Sequence, residues 1–96
     1  MKSTPLNMDK LVQLCQQYDI QKLGVFGSVA RGEADEHSDV DLLVHFSKRI
    51  SLLKMVALER RFSEVLGRKV DLLTEAALSP YLLEQIQKDV QVLYEA

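Results

Sequence analysis

The sequence predicts an α+β protein, a small mixed β-sheet flanked by helices in two layers. Three observations carry that prediction. Short apolar runs at 20–26, 39–46 and 68–73 are bounded by polar or glycine-containing stretches, as strands are. Longer stretches at 8–18 and 52–66 repeat their apolar residues at helical spacing. The two kinds alternate along the chain, so helices must bury their stripes against the sheet.

The first helix has two competing starts, Thr4 as cap with Pro5 in the first turn, or Asn7 as cap. Met8, Leu11, Val12, Cys15 and Tyr18 form its apolar stripe. Cys15 reads as a packed thiol rather than a nucleophile, because no basic cluster accompanies it. Ile20 to Phe26 is the first strand, in which Gly24 marks a bend or a close backbone approach. Ser28 to Arg31 fits one helical turn capped by Ser28 and stopped by Gly32, followed by a polar, acidic loop over 33–38.

The second strand runs from Asp39 to Phe46, with Val40, Leu42, Val44 and Phe46 on the buried face. Ser51 caps the longest helix, about Leu52 to Leu66, which Gly67 ends. Its buried stripe is Leu52, Met55, Val56, Leu58, Phe62, Val65 and Leu66; Lys54, Glu59, Arg60, Arg61 and Glu64 form its wet side. Arg68 to Leu73 is the third strand. Ser79 and Pro80 start a last helix with Leu82, Leu83 and Ile86 as its apolar face. Val90 to Tyr94 adds a short edge strand.

Ninety-six residues with 47% hydrophobic and 27% charged residues describe one domain, 1–96, with a modest core. A net charge of −2 gives no basic field for a nucleic-acid backbone, so no direct nucleic-acid binding is expected. One cysteine excludes an internal disulfide and, with no secretory leader or membrane span in the pattern, points to the cytoplasm.

The chemistry concentrates in Gly27 to Asp41. Asp39 and Asp41 are two apart, so their Cα atoms lie about 6.6 Å apart on one strand face. Asp71 can reach the same face from the third strand. Converging carboxylates repel unless a cation sits among them, and an all-oxygen set suits Mg²⁺. Two such ions would clamp the attacking and leaving oxygens of a phosphoryl displacement. Gly27 lets a phosphate approach the backbone, Ser28 adds a hydroxyl and N–H groups, and Arg31 can neutralise phosphate charge. Taken singly, Asp-x-Asp is a common strand end, Gly-Ser a common turn, Asp71 an edge charge and Arg31 a solvated side chain. Their joint placement at the ends of apolar runs tells against those readings. His37 and His45 read as rim or structural histidines, since hard oxygen ligands do not make a zinc site.

Gly27-Ser28, ten residues, Asp39-Val40-Asp41 and then Asp71 in Lys69-Val70-Asp71-Leu72-Leu73 resemble the minimal nucleotidyltransferases of the DNA polymerase β superfamily. Gly27 to Glu33 matches the Gly-Ser-x-Ala-Arg-Gly-Glu form of the small prokaryotic members, with Val29 where many carry a larger residue. The resemblance implies a polymerase-β palm-like fold and transfer of a nucleotidyl group from ATP or another NTP to a hydroxyl. It implies that Asp39, Asp41 and Asp71 ligate two Mg²⁺ ions. It also implies that Gly27 and Ser28, with Arg31, hold the phosphates. Small members are similar to the antitoxins of HEPN–MNT toxin–antitoxin pairs, which implies a HEPN toxin as partner and its tyrosine as the AMP acceptor. A non-catalytic antitoxin that neutralises by contact, and nucleotidyl transfer to a small molecule, are the alternatives.

Overall fold

The computed structural model describes residues 8–33, 35 and 38–96. The elements follow in the order α1 (Met8–Gln17), β1 (Ile20–Phe26), β2 (Val40–Phe46), α2 (Leu52–Leu66), β3 (Val70–Thr74), α3 (Pro80–Gln87) and β4 (Gln91–Glu95). A 3₁₀ turn at Glu75–Ala77 follows β3. The competing starts at Thr4 and Asn7, and His37, lie outside the described residues.

The sheet order is β3-β2-β1-β4. β1 runs antiparallel to both β2 and β4, whereas β2 and β3 are parallel and joined by α2 as a crossover. Alternation sends Val40, Leu42 and Val44 to one face, where they are almost fully buried with Leu23 and Val25 of β1 and Val70 and Leu72 of β3. Leu11, Leu14 and Cys15 of α1 and Leu58, Phe62 and Leu66 of α2 complete this core. Desolvation there pushes the Cys15 thiol up to about 12, which makes it inert, as the sequence suggests.

α2 is capped as expected. Ser51 accepts from the Lys54 N–H at 3.1 Å, and Gly67 closes the helix in the left-handed region at φ 68°. Ser79 likewise accepts from the Leu82 N–H at 3.2 Å, with Pro80 in the first turn of α3. The stripe of α2 is shorter than its periodicity suggests. Leu52 and Val56 are exposed, because α1 and the sheet reach only the C-terminal half of the helix. Met8 is also exposed at the start of α1, and Leu14 takes a core position in its place. α3 buries none of its side chains, so its expected apolar face of Leu82, Leu83 and Ile86 is only half covered.

The interior of β1 explains Gly24. A β-carbon there would stand 2.6 Å from Val90 Cγ2 and 3.3 Å from the Gln91 carbonyl. Gly24 is therefore the close approach that lets β4 join the edge of β1, beside a register shift between Leu23 and Gly24.

Candidate active site

The sheet face turned away from α1 and α2 carries Asp41, Leu43 and His45 of β2, interleaved with the core residues. Asp41 lies in register with Asp71 on one side and with Phe26, the last residue of β1, on the other. Asp39 lies one residue before β2, which begins at Val40 rather than at Asp39. The parallel pairing of β2 with β3 thus brings carboxylates from two distant parts of the sequence to one edge of the sheet.

Asp41 feels its neighbours. Asp41 is half-buried, and its carboxyl is raised above the usual carboxylate range, first by desolvation, then by the charges of Asp71 and Asp39; Arg31 opposes the shift. Among the described residues, no three carboxylate, imidazole or thiol groups stand close enough to form a ready-made metal cluster.

Gly27 connects the two halves of the motif. It has φ +75°, and the place of its missing β-carbon is filled by the Asp41 carboxylate, with Oδ2 in contact. Only glycine can both adopt this conformation without strain and leave room for that carboxylate. Residues 28–32 form a turn rather than a helix. The Arg31 N–H donates to Gly27 O at 3.1 Å and the Glu33 N–H to Ser28 O at 2.9 Å. Ser28 does not act as a cap. Its hydroxyl makes no hydrogen bond among the described residues, because the chain tightens into a glycine-ended turn before a second helical turn can form.

Two devices that the sequence did not reveal fix this site. Arg31 donates to Glu33 at 3.1 Å and to Asp89 at 3.4 Å, Glu33 being the stronger partner, while Gln91 Nε2 donates to Ala30 O at 2.8 Å. The α3–β4 junction therefore holds the Gly27–Arg31 turn in place. On the other side, edge strand β3 leaves the Val70 and Leu72 amides facing away from β2. Ser63 Oγ accepts from the Val70 N–H at 3.1 Å and Glu59 Oε2 from the Leu72 N–H at 2.9 Å. These bonds grip the backbone on both sides of Asp71. Glu59 is thus not a solvated residue of the wet side, because an edge strand beside it offers an unpaired donor. His45 is exposed at the rim, 3.5 Å from Glu75.

A sheet of this order, with acidic residues on its open face and a glycine-led turn at its edge, defines a nucleotidyltransferase scaffold. Residues 9–96 match the family model "Polymerase beta, Nucleotidyltransferase", and the chain belongs to that family. A relative from Methanocaldococcus jannaschii, provisionally named a protein adenylyltransferase, is 41% identical over 78 residues, covering 80% of each chain. The protein adenylyltransferase MntA of Thermococcus cleftensis is 40% identical over 78 residues, covering 81% of this chain and 79% of that one. The fold is shared with a chain in the structure of a tri-AMPylated HEPN toxin of Shewanella oneidensis in complex with its MNT antitoxin. The TM-score is 0.74 at 21% identity, covering 98% of this chain and 74% of that one. The sequence expectation of an α+β nucleotidyltransferase fold is borne out. No helix among the described residues is long and apolar enough to cross a membrane.

Proposed function

We propose that this protein is a protein adenylyltransferase that moves AMP from ATP to a tyrosine hydroxyl of a partner HEPN toxin, and is that toxin's antitoxin, working in the cytoplasm. The observation that carries the reading is geometric: Asp41 stands in register with Asp71 two residues after Asp39, and Gly27 packs against its carboxylate. The identity to protein adenylyltransferases supports the same class of acceptor.

The donor set fits Mg²⁺: three carboxylates, one of them raised above its ordinary pKa by burial and then by the charges of the other two, are what a hard divalent cation neutralises. Asp39, Asp41 and Asp71 would hold the ions, which would supply charge neutralisation at the reacting phosphate and lower the pKa of the acceptor hydroxyl. The chain's own residues do the rest. Gly27 and Ser28 present backbone N–H groups and a free hydroxyl to the β- and γ-phosphates. Arg31, held in place by Glu33 and Asp89, adds a positive charge beside them. Glu59 and Ser63 keep Asp71 in register with Asp41. The hydroxyl oxygen then bonds to the α-phosphorus as its proton passes to solvent, the bond to the bridging oxygen breaks, and pyrophosphate leaves along the Gly27–Ser28 side.

Incubating purified toxin with this protein, Mg²⁺ and ATP labelled at the α- or γ-phosphate tests the reading. Label from the α position should move to the toxin and γ label should not. Transfer of γ label would make the protein a kinase. Transfer of neither, with the toxin still silenced, would make it a neutralising binder.

A further inference from the structure

The first half of α2 is apolar on the side away from the core as well as on the side that meets it. Leu58 and Phe62 are fully buried, whereas Leu52 is 79% and Leu53 83% exposed. Val56 is half exposed, and Ala57 is exposed beside it. Residues three and four apart share a face, so Leu53, Val56, Ala57 and then Arg60 form one stripe turned to solvent. A helix that is apolar all round belongs in an interior, and among the described residues no element covers this stripe. Cations flank it. Lys48, Arg49, Lys54, Arg60 and Arg61 are all exposed, and none of their side chains has a partner among the described residues. The one acid in residues 48–61 is Glu59, whose carboxylate is turned back onto the Leu72 N–H. This stretch therefore sets five cations against one acid in a chain of net charge −2. A cleft of about 270 Å³ opens beside the helix start, with Phe46, Arg49, Ile50 and Ala76 in its lining. We propose that the outer face of the first half of α2 is the docking surface for the toxin, which meets it with an acidic surface carrying apolar side chains at its centre. The inference rests on the toxin partnership of the proposed function and adds where on this chain the toxin is held.

Charge and shape select this occupant. An apolar centre inside a charged rim is the anatomy of a protein interface, and a basic rim selects an acidic partner. A second copy related by a two-fold axis would set the same five cations against themselves. RNA would use the cations but leave the leucines in water, since its backbone is read by charge and hydrogen bonds. The cleft beside Ile50 gives a partner side chain a pocket to anchor in. The position leaves the aspartates free. α2 starts beyond the end of β2, about 20 Å along the strand from Val40, and it packs on the sheet face opposite to Asp41. A toxin held there does not cover Asp41 or Asp71.

Calorimetric titration of unmodified toxin into the whole protein, without ATP, tests this. Leu53→Ser should weaken binding about thirty-fold, the loss of a side chain at the centre of an interface. Arg60→Glu should weaken it about ten-fold at low salt and far less near 1 M, where charges are screened beyond about 3 Å. Both residues are exposed, so both variants should melt as the wild type does and bind Mg²⁺–ATP as it does. Toxin affinity unchanged in both variants overturns the proposal. A wild-type dimer dissolved by Leu53→Ser would then make a second copy the occupant, and single-stranded RNA released by both variants would make it a nucleic acid. Transfer of α label by the wild type is scored separately. If the variants lose the toxin while the wild type transfers no label, the docking surface stands and the adenylyl-transfer reading falls. If label moves and both variants hold the toxin, the docking surface falls and that reading stands.

Discussion

Replacing Gly27 with alanine separates backbone strain from damage to the site. The added methyl meets two obstacles, φ +75° and the Asp41 carboxylate that fills the space behind the α-carbon. The left-handed conformation costs a non-glycine residue about 1–2 kcal/mol. For a chain of this size that corresponds to a loss of roughly 5–10 °C in Tm. Gly67→Ala is the matched control: its φ is +68°, nothing lies within 4 Å of the new methyl, and it ends α2. Asp41 Oδ2 is the end of a side chain that can rotate aside at little cost in stability, so the two variants should lose similar stability in thermal melts. Only Gly27→Ala should also lose AMP transfer, by about 100-fold, since a shift of about 1 Å in a reacting group has that effect. Transfer rates measured below both midpoints decide it. If Gly27→Ala transfers AMP as fast as Gly67→Ala, the contact between Gly27 and Asp41 does not organise the site.

Four further outcomes follow from the same geometry. Asp41→Asn should stabilise the metal-free protein at neutral pH. A carboxyl whose folded pKa is raised destabilises the fold above that pKa and ceases to do so as the pH falls to the unfolded value near 4, so the gain should vanish in acid melts. Ser28→Ala should leave the urea midpoint within about 0.5 kcal/mol of wild type, because the hydroxyl caps nothing, yet weaken triphosphate binding in a calorimeter. Glu59→Ala should cost about 1–2 kcal/mol in urea melts by orphaning the Leu72 N–H, and should slow transfer although Glu59 touches no substrate. Gly24→Ala should cost about 1–3 kcal/mol through its collision with Val90 and the Gln91 carbonyl, with β4 amides exchanging first.

Local signals carried most of the fold. Ser51, Gly67, Ser79 and Pro80 are short-range devices, and they set the helix ends where the sequence indicates them. Alternation along Val40–Phe46 was enough to assign a core face and an acidic face. The misreadings have a common origin in partners distant along the chain. Leu52 and Val56 have the right period, but among the described residues no element lies over them. Glu59 looks solvated until an edge strand beside it offers the Leu72 amide. The Ser28 cap fails because the chain closes into a turn ended by Gly32, which Asp89 and Gln91, about 60 residues on, hold in place. Gly24 did signal a close approach, but only the sheet order shows that β4 makes it. Asp41 stands opposite Asp71 without any of these contacts, since two strands in register suffice.

Intact-mass spectrometry of the HEPN toxin, purified after co-expression with the wild-type protein or with Asp41→Asn, tests the central claim most directly. The toxin made beside the wild type should be heavier by one or more AMP units, mapping to tyrosine, and should be inactive. The toxin made beside Asp41→Asn should have its unmodified mass. An unmodified toxin in both preparations, equally silenced by both proteins, would contradict the account and leave binding alone as the antitoxin's means of action.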